Sequence, residues 1–167
     1  MDIIFNRRSV RKYTEQKIEP EKIDRMLRAA MQAPSAGNQQ PWEFIVIDDK
    51  ETLVKLADFS RYAKMLPGAA LGIVVLERQT LKYPPLVEQD LGACVQNLML
   101  QATEDGLGTV WLGISRGDER EAFVAEMFNL PESVRPYGVV SIGYPEDENA
   151  NHFVDRYEEA RVHYNKY

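Results

Sequence analysis

Two prolines bracket the strongest pattern in the chain. Between Pro20 and Pro34, the residues Ile23, Met26, Leu27, Ala30 and Met31 recur at i, i+3, i+4, i+7 and i+8. That spacing puts all five on one face of a helix. Pro20 suits a first helical turn, where its missing N–H is not needed, and Pro34 stops the helix just after Ala33. A helix with one apolar face must bury that face against another layer. The rest of the sequence supplies candidates. A second stripe, Leu91, Val95, Leu98, Met99 and Ala102, follows Pro84-Pro85 and ends near Gly106. Dense apolar runs rich in β-branched residues read as strands over 42–47, 69–76, 109–114 and 137–142. Shorter helices are expected over 2–7, 51–58 and 61–66. Asp118 is placed to cap another, carrying Phe123, Val124, Met127 and Phe128. Helices and strands are mixed, so the class is α/β or α+β. The alternation by itself favours a doubly wound parallel sheet.

A length of 167 residues fits one domain spanning 1–167, with no internal repeat or linker. Hydrophobic residues make up 44% and charged residues 28%, enough apolar material for a core, which excludes a wholly disordered chain. The net charge of −6 argues against the basic field of a general nucleic-acid binder, yet leaves room for a local basic pocket. The single cysteine, Cys94, allows neither an internal disulfide nor a cysteine-based zinc site, and beside Val95 it reads as a buried, inert side chain. No apolar run is long enough to cross a membrane, and no secretory signal is visible near the N-terminus. A cytoplasmic protein is expected. The polar stretch 145–155 reads as a long connection to a final short segment.

Several familiar devices are missing. Gly106, Gly108 and Gly113 do not form a dinucleotide fingerprint, because Trp111 occupies a required position and the segment leads into a strand. His152 and His163 are two lone histidines that read as surface or packing residues, so no metal site is expected. Three segments do carry chemical promise. In Arg7-Arg8-Ser9-Val10-Arg11-Lys12-Tyr13, four cations fall within six residues. Guanidinium forks match phosphate oxygens and Ser9 adds a hydroxyl donor, although a solvated basic helix end explains the same run. In Ala33-Pro34-Ser35-Ala36-Gly37-Asn38-Gln39-Gln40-Pro41-Trp42, amides can read a heterocycle edge and small residues admit a flat ring. A capped turn needs the same residues. In Gly106-Leu107-Gly108-Thr109-Val110-Trp111-Leu112-Gly113, glycines within a strand mark close approach by a ligand or another backbone, and Trp111 also suits a core.

Taken in order, and with Gln89-Asp90-Leu91-Gly92-Ala93 and Ile142-Gly143-Tyr144-Pro145 added, these segments resemble the nitroreductase family of flavoproteins over nearly the whole chain. The resemblance implies an α+β, three-layer fold with a mixed, largely antiparallel sheet flanked by helices. That expectation replaces the parallel sheet. It implies an FMN-dependent enzyme that passes hydride from NADH or NADPH through the flavin to a nitroaromatic, quinone or related small-molecule acceptor. A non-catalytic flavin-binding or sensor module is the alternative. It implies a homodimer in which the tail, residues 153–167, packs on the partner. This would give Tyr157, Tyr164 and Tyr167 a surface to bury against. By motif position, Arg7, Arg8, Ser9 and Arg11 correspond to flavin phosphate, ribityl and pyrimidine ligands. Pro34, Ser35, Ala36 and Asn38 would come from the other subunit, and Leu112 and Gly113 would present backbone N–H groups near the flavin N5. Arg156, with Arg161 second, is the candidate tail contact to the phosphate. The tail departs from the family pattern, with fewer basic residues and Tyr167 in place of a terminal tryptophan. No side chain is expected to act as nucleophile, because the chemistry belongs to the flavin.

Overall fold

In the computed structural model, which describes residues 2–79 and 81–167, nine regular elements succeed one another. They are α1 (Ile3–Asn6), α2 (Pro20–Met31), β1 (Trp42–Ile47), α3 (Lys50–Leu56), β2 (Leu71–Arg78), α4 (Val87–Glu104), β3 (Gly108–Gly113), α5 (Glu119–Met127) and β4 (Val134–Gly143). The two striped helices form where the sequence places them. Met26 and Ala30 of α2 are fully buried, and Met31, its last residue, is exposed. In α4 all five stripe residues and Cys94 are buried. Asp118 caps α5 by accepting the Arg120 N–H, and Asp49 caps α3 by accepting the Thr52 N–H at 2.8 Å. The helix expected over 61–66 does not form. Ser60 is extended, and only a 3-10 turn at Leu66–Gly68 follows. So short a segment cannot offset the entropy of nucleating a helix.

The sheet order is β1-β2-β4-β3, and every ladder is antiparallel. This overturns the parallel sheet suggested by alternation. The helical segment after β1 returns the chain to the end it left, so Ile47 pairs with Gly72. The α5 connection does the same, leaving Gly113 opposite Gly138. Only α4 carries the chain from one end to the other, so β2 and β3 run parallel with β4 between them. Among the described residues the one parallel pairing is an isolated bridge from Ser9 to Thr109, where the segment after α1 runs beside β3. β4 begins three residues before the expected start. Leu76 faces Pro136 and Val75 faces Gly138, so Tyr137 is the extra residue of a bulge that admits a proline inside the strand.

Helices cover both faces of this sheet. Leu71, Ile73 and Val75 of β2 pack with Val140 and Ile142 against Met26, Ala30, Leu91, Val95, Leu98 and Ala102 of α2 and α4. The alternate residues Val74 and Leu76 pack with Val139 against Leu53, Leu56, Phe59 and Val124 on the α3–α5 side. Each fully buried aliphatic side chain contributes about 1.5–3 kcal/mol relative to exposure. A third cluster, Val10, Tyr13, Met65, Ala69 and Val110, fastens the N-terminal segment to the β3 side of the sheet. That contact is close. A Cβ at Gly108 would lie 2.6 Å from Val10, and one at Gly143 would lie 2.8 Å from Tyr13. Glycine at both positions lets residues 9–13 seat directly on β3 and β4.

Candidate functional site

The seating of residues 9–13 fixes a backbone that buries Val10 and Tyr13 and leaves Ser9, Arg11 and Lys12 exposed. The Val10 N–H donates to the Thr109 carbonyl at 2.9 Å, and the Thr14 N–H donates to the Tyr144 carbonyl at 2.8 Å. Beneath them the Tyr13 hydroxyl donates to the Val10 carbonyl at 2.7 Å and accepts from Ser141 Oγ at 2.8 Å. Burial pushes that phenol up to about 12. On the other side the Arg8 N–H donates to Asn151 Oδ1 at 3.1 Å, and Asn151 Nδ2 donates to the Leu107 carbonyl at 3.0 Å. Asn151 therefore splints the arginine segment to the start of β3. The sequence reading missed it, because an asparagine in a polar stretch carries no local signal for a partner 143 positions away.

Charge then distinguishes this segment from the rest of the molecule. Arg25, Arg28, Arg78, Arg116, Arg120, Arg135 and Arg161 each join an ion pair. Among the described residues Arg7, Arg8, Arg11 and Arg156 join none, and Arg61 stacks on Tyr62. Arg7, Arg8 and Arg156 line one cleft of about 380 Å³, with Phe153 and Tyr157. The Arg7 guanidinium is pushed below its ordinary pKa by burial, then by Arg8, then by Arg156. Asp155 lines the same cleft but forms no ion pair with these arginines among the described residues, its Oδ1 accepting the Tyr157 N–H at 3.0 Å instead. Cations that crowd one another without an ion pair fit a phosphate-bearing group, which would relieve the repulsion and use the planar donors.

Two adjoining clefts extend the site. Arg11 borders both. One holds Ser9, Lys12, Glu146 and Asp147, and the other, of about 290 Å³, holds Trp111, Leu112, Gly113, Ser60, Tyr62 and Arg120. A Cβ at Gly113 would meet nothing within 4 Å, so its surface is open to a flat ring. Arg120, whose Nε is held by Asp118 at 2.9 Å, donates to the Gly113 carbonyl at 3.0 Å and steadies this end of β3. That contact was not anticipated from the sequence either. Trp111 packs at the edge of the main core, tilted 5.7 Å from Tyr137, with its buried indole N–H unpartnered among the described residues.

Pro34, Ser35, Ala36 and Asn38 lie elsewhere. Their loop is anchored through Ala36 to Asp90 in the first turn of α4, at 3.0 Å. The segment from α1 touches α4 near Asn97, Leu100 and Gln101. From Asp90 to Gln101 the helix rises about 16 Å at roughly 1.5 Å per residue. A single chain thus brings Arg7, Arg8, Ser9, Arg11 and Arg156 into neighbouring clefts, with Leu112 and Gly113 beside Arg11. It keeps the loop at the other end. His152 lies on the surface with Nδ1 2.9 Å from the Asn149 carbonyl, and His163 stacks on Tyr167, so neither enters these clefts.

An antiparallel sheet between two helical layers, with a group of arginines free of ion pairs among the described residues at one end, defines the class. Comparison with known proteins is specific. The model of the nitroreductase family matches residues 4–62 and 60–144. A provisionally named NADH dehydrogenase/NAD(P)H nitroreductase of Archaeoglobus fulgidus is 41% identical over 170 residues, covering 100% of this chain and 98% of the relative. The crystal structure of a provisionally named NADH oxidase from Clostridium acetobutylicum matches with a TM-score of 0.96 at 50% identity, over 99% of this chain and 100% of that one. A nitroreductase-like protein of Desulfovibrio desulfuricans, solved in complex with FMN, matches with a TM-score of 0.82 at 29% identity, over 99% and 95%. The chain belongs to the nitroreductase family.

Proposed function

We propose that this chain is an FMN-dependent oxidoreductase that draws hydride from NADH or NADPH and serves a nitroaromatic, quinone or related acceptor. The observation that carries the reading is the group of arginines without carboxylate partners, Arg7, Arg8, Arg11 and Arg156, three of them in one cleft. The relatives' names, NAD(P)H nitroreductase and a structure holding FMN, point the same way. Arg7, Arg8 and Arg156 would hold the phosphate end, Ser9 the ribityl chain and Arg11 the pyrimidine edge. Charge-assisted hydrogen bonds contribute about 1.5–3 kcal/mol each, so three or four supply much of the roughly 8 kcal/mol that micromolar affinity needs. FMN, when bound, supplies the redox chemistry itself.

The chain's own residues orient and tune. Arg11, bordering both the Ser9 cleft and the Gly113 cleft, holds positive charge where added electrons would accumulate. Leu112 and Gly113 present strand backbone to the reacting edge of the ring. Arg120 keeps that backbone in place through the Gly113 carbonyl. The remaining ligands, Pro34, Ser35, Ala36 and Asn38, would arrive from a second copy, since one chain separates them from its own arginines. A homodimer with the 153–167 tail on the partner follows from the same reading, as does a cytoplasmic location. No helix among the described residues is long and apolar enough to cross a membrane.

The test is optical. Protein saturated with FMN should be yellow, bleach on addition of NADH or NADPH without oxygen, and recover colour with a quinone or nitroaromatic. Protein that holds FMN but leaves NAD(P)H unoxidised is a non-catalytic flavin module, and protein that holds none overturns the reading altogether.

A further inference from the structure

The loop that follows α2 is held in an unusual shape. Gly37, Asn38 and Gln40 have φ of 53°, 55° and 46°, so two side-chain-bearing residues occupy the left-handed region. Such conformations persist only where the surroundings impose them. Here the imposing group is Asp90. It is 5% exposed, and no cation lies within ion-pair distance of it among the described residues. One carboxylate oxygen accepts the Ala36 N–H at 3.0 Å, and the other accepts Gln39 Nε2 at 2.6 Å. Gln39 passes the restraint onward. It accepts the Tyr83 N–H at 2.9 Å and donates to the Tyr83 carbonyl at 3.2 Å. The Tyr83 ring lies on Gly37 so closely that a Cβ there would collide with it. From β2, Arg78 donates to the Gln40 carbonyl at 2.6 Å.

The outcome of this clamping is the presentation of one side chain. Asn38 is exposed, and its amide has a single contact, a 3.3 Å hydrogen bond accepted from Gln40 Nε2. Its own N–H donors are unpartnered among the described residues. A buried carboxylate carries a large desolvation cost, which hydrogen bonds from one backbone N–H and one amide offset only in part. A neutral side chain would suffice merely to fill the space. A carboxylate that joins two points of a strained loop restricts it to one conformation.

We infer that Asp90, acting with Gln39, is a positioning residue that locks the 35–38 loop in the shape presenting Asn38 to the ring of a flavin bound by a second copy of the chain. The inference rests on the flavin reading above. The hydrogen bonds of Asp90 and Gln39 are spent on Ala36, Tyr83 and each other, so both would act on the ring through the loop. Releasing the latch lets Asn38 leave its left-handed conformation and lose its aim.

The test uses full-length Asp90→Ala and Gln39→Ala proteins, with Arg7→Ala as the contrast. FMN affinity is read by flavin fluorescence, and the visible circular dichroism of the flavin is recorded at saturating FMN. Loss of preorganisation should weaken FMN binding about tenfold in Asp90→Ala and about threefold in Gln39→Ala. At saturation both should still show an altered visible band, because the ring sits against a loosened loop. Arg7→Ala should weaken binding while leaving the band as in wild type. A wild-type band in both latch variants at saturation overturns the assignment, even if affinity falls, since that is the signature of general destabilisation. If Asp90→Ala does not fold, the band of Gln39→Ala, whose side chain is only half buried, decides alone. Wild-type protein that binds no flavin overturns the functional reading and this inference with it. Intact wild-type binding beside unaltered variants overturns this inference only.

Discussion

Burial and two neighbouring cations all push the Arg7 guanidinium away from its charged form, yet an arginine stays protonated, so the strain is left for a ligand to relieve. Removing the side chain should therefore aid the empty cleft electrostatically while harming the occupied one. Arg7→Ala is expected to weaken FMN binding about tenfold or more, the scale of one charge-assisted hydrogen bond, and Arg11→Ala likewise. Titration of FMN fluorescence checks this; unchanged affinity in Arg7→Ala would remove its phosphate assignment, and unchanged affinity in Arg11→Ala its pyrimidine assignment. A second prediction concerns buried acids. Burial pushes the Cys94 thiol up to about 12 from 9.0, and the Tyr13 and Tyr137 phenols up to about 12 from 10.0. Their contribution to stability is complete below the unfolded values. As pH rises past 9.0 and 10.0, the unfolded chain loses protons that the folded chain keeps, so stability falls until about pH 12. Urea midpoints measured against pH should start to decline near 9.0 in wild type and nearer 10.0 in Cys94→Ala.

At the scale of elements, β2 and β4 are joined by more than apolar contacts. Glu77 and Arg135 face each other across the central ladder, each 2% exposed, and Arg135 Nε donates to Glu77 Oε2 at 2.8 Å. Arg116 closes the other side of the carboxylate at 2.9 Å. Removing Glu77 leaves the buried Arg135 only its longer pairs with Glu88 at 3.2 Å and Glu121 at 3.8 Å, so Glu77→Leu should cost about 3 kcal/mol, the lower end for breaking a buried pair, read as a lowered urea midpoint. Glu77→Leu combined with Arg135→Met should recover much of that loss, because neither charge is then left buried alone. None of this pairing was legible in the sequence. Ion pairs 58 positions apart depend on strand order, and strand order depends on where each connection re-enters the sheet. What is local was legible. The stripes of α2 and α4 are periodic and bounded by Pro20, Pro34 and Gly106, so both helices could be read directly. β2 was placed two residues early because a strand buried on both faces has no alternation to fix its ends. In the site, the arginine run and the 34–38 loop were visible as composition. Asp90, Gln39 and Asn151 were not singled out, since an amide or carboxylate announces its partner only once the chain is folded.

On the whole molecule, the tail is the segment that one chain does not account for. Tyr157 is 70% exposed and Tyr164 81%, and Phe153, 56% exposed, meets edge-on the ring of Phe5, itself 58% exposed. None of the three core clusters includes a residue beyond Ala150. Removing residues 153–167 should therefore leave the fold intact, provided Asn151 remains to brace Arg8 and Leu107. Apolar rings left in water across so long a segment are an unmet demand for a surface, and the proposed second copy supplies it. The same segment carries Arg156 into the arginine cleft. Truncation is thus expected to do two things that Arg156→Ala does only one of. Both should lower FMN affinity, by about tenfold on the scale of a lost charge-assisted contact. Only truncation should shift the sedimentation equilibrium toward monomer, because only it removes the apolar contact area. A truncated chain that stays dimeric and binds FMN as tightly as wild type would detach the tail from both assembly and site. The separation of the 34–38 loop from the arginines would then have to be bridged by a dimer built on other faces.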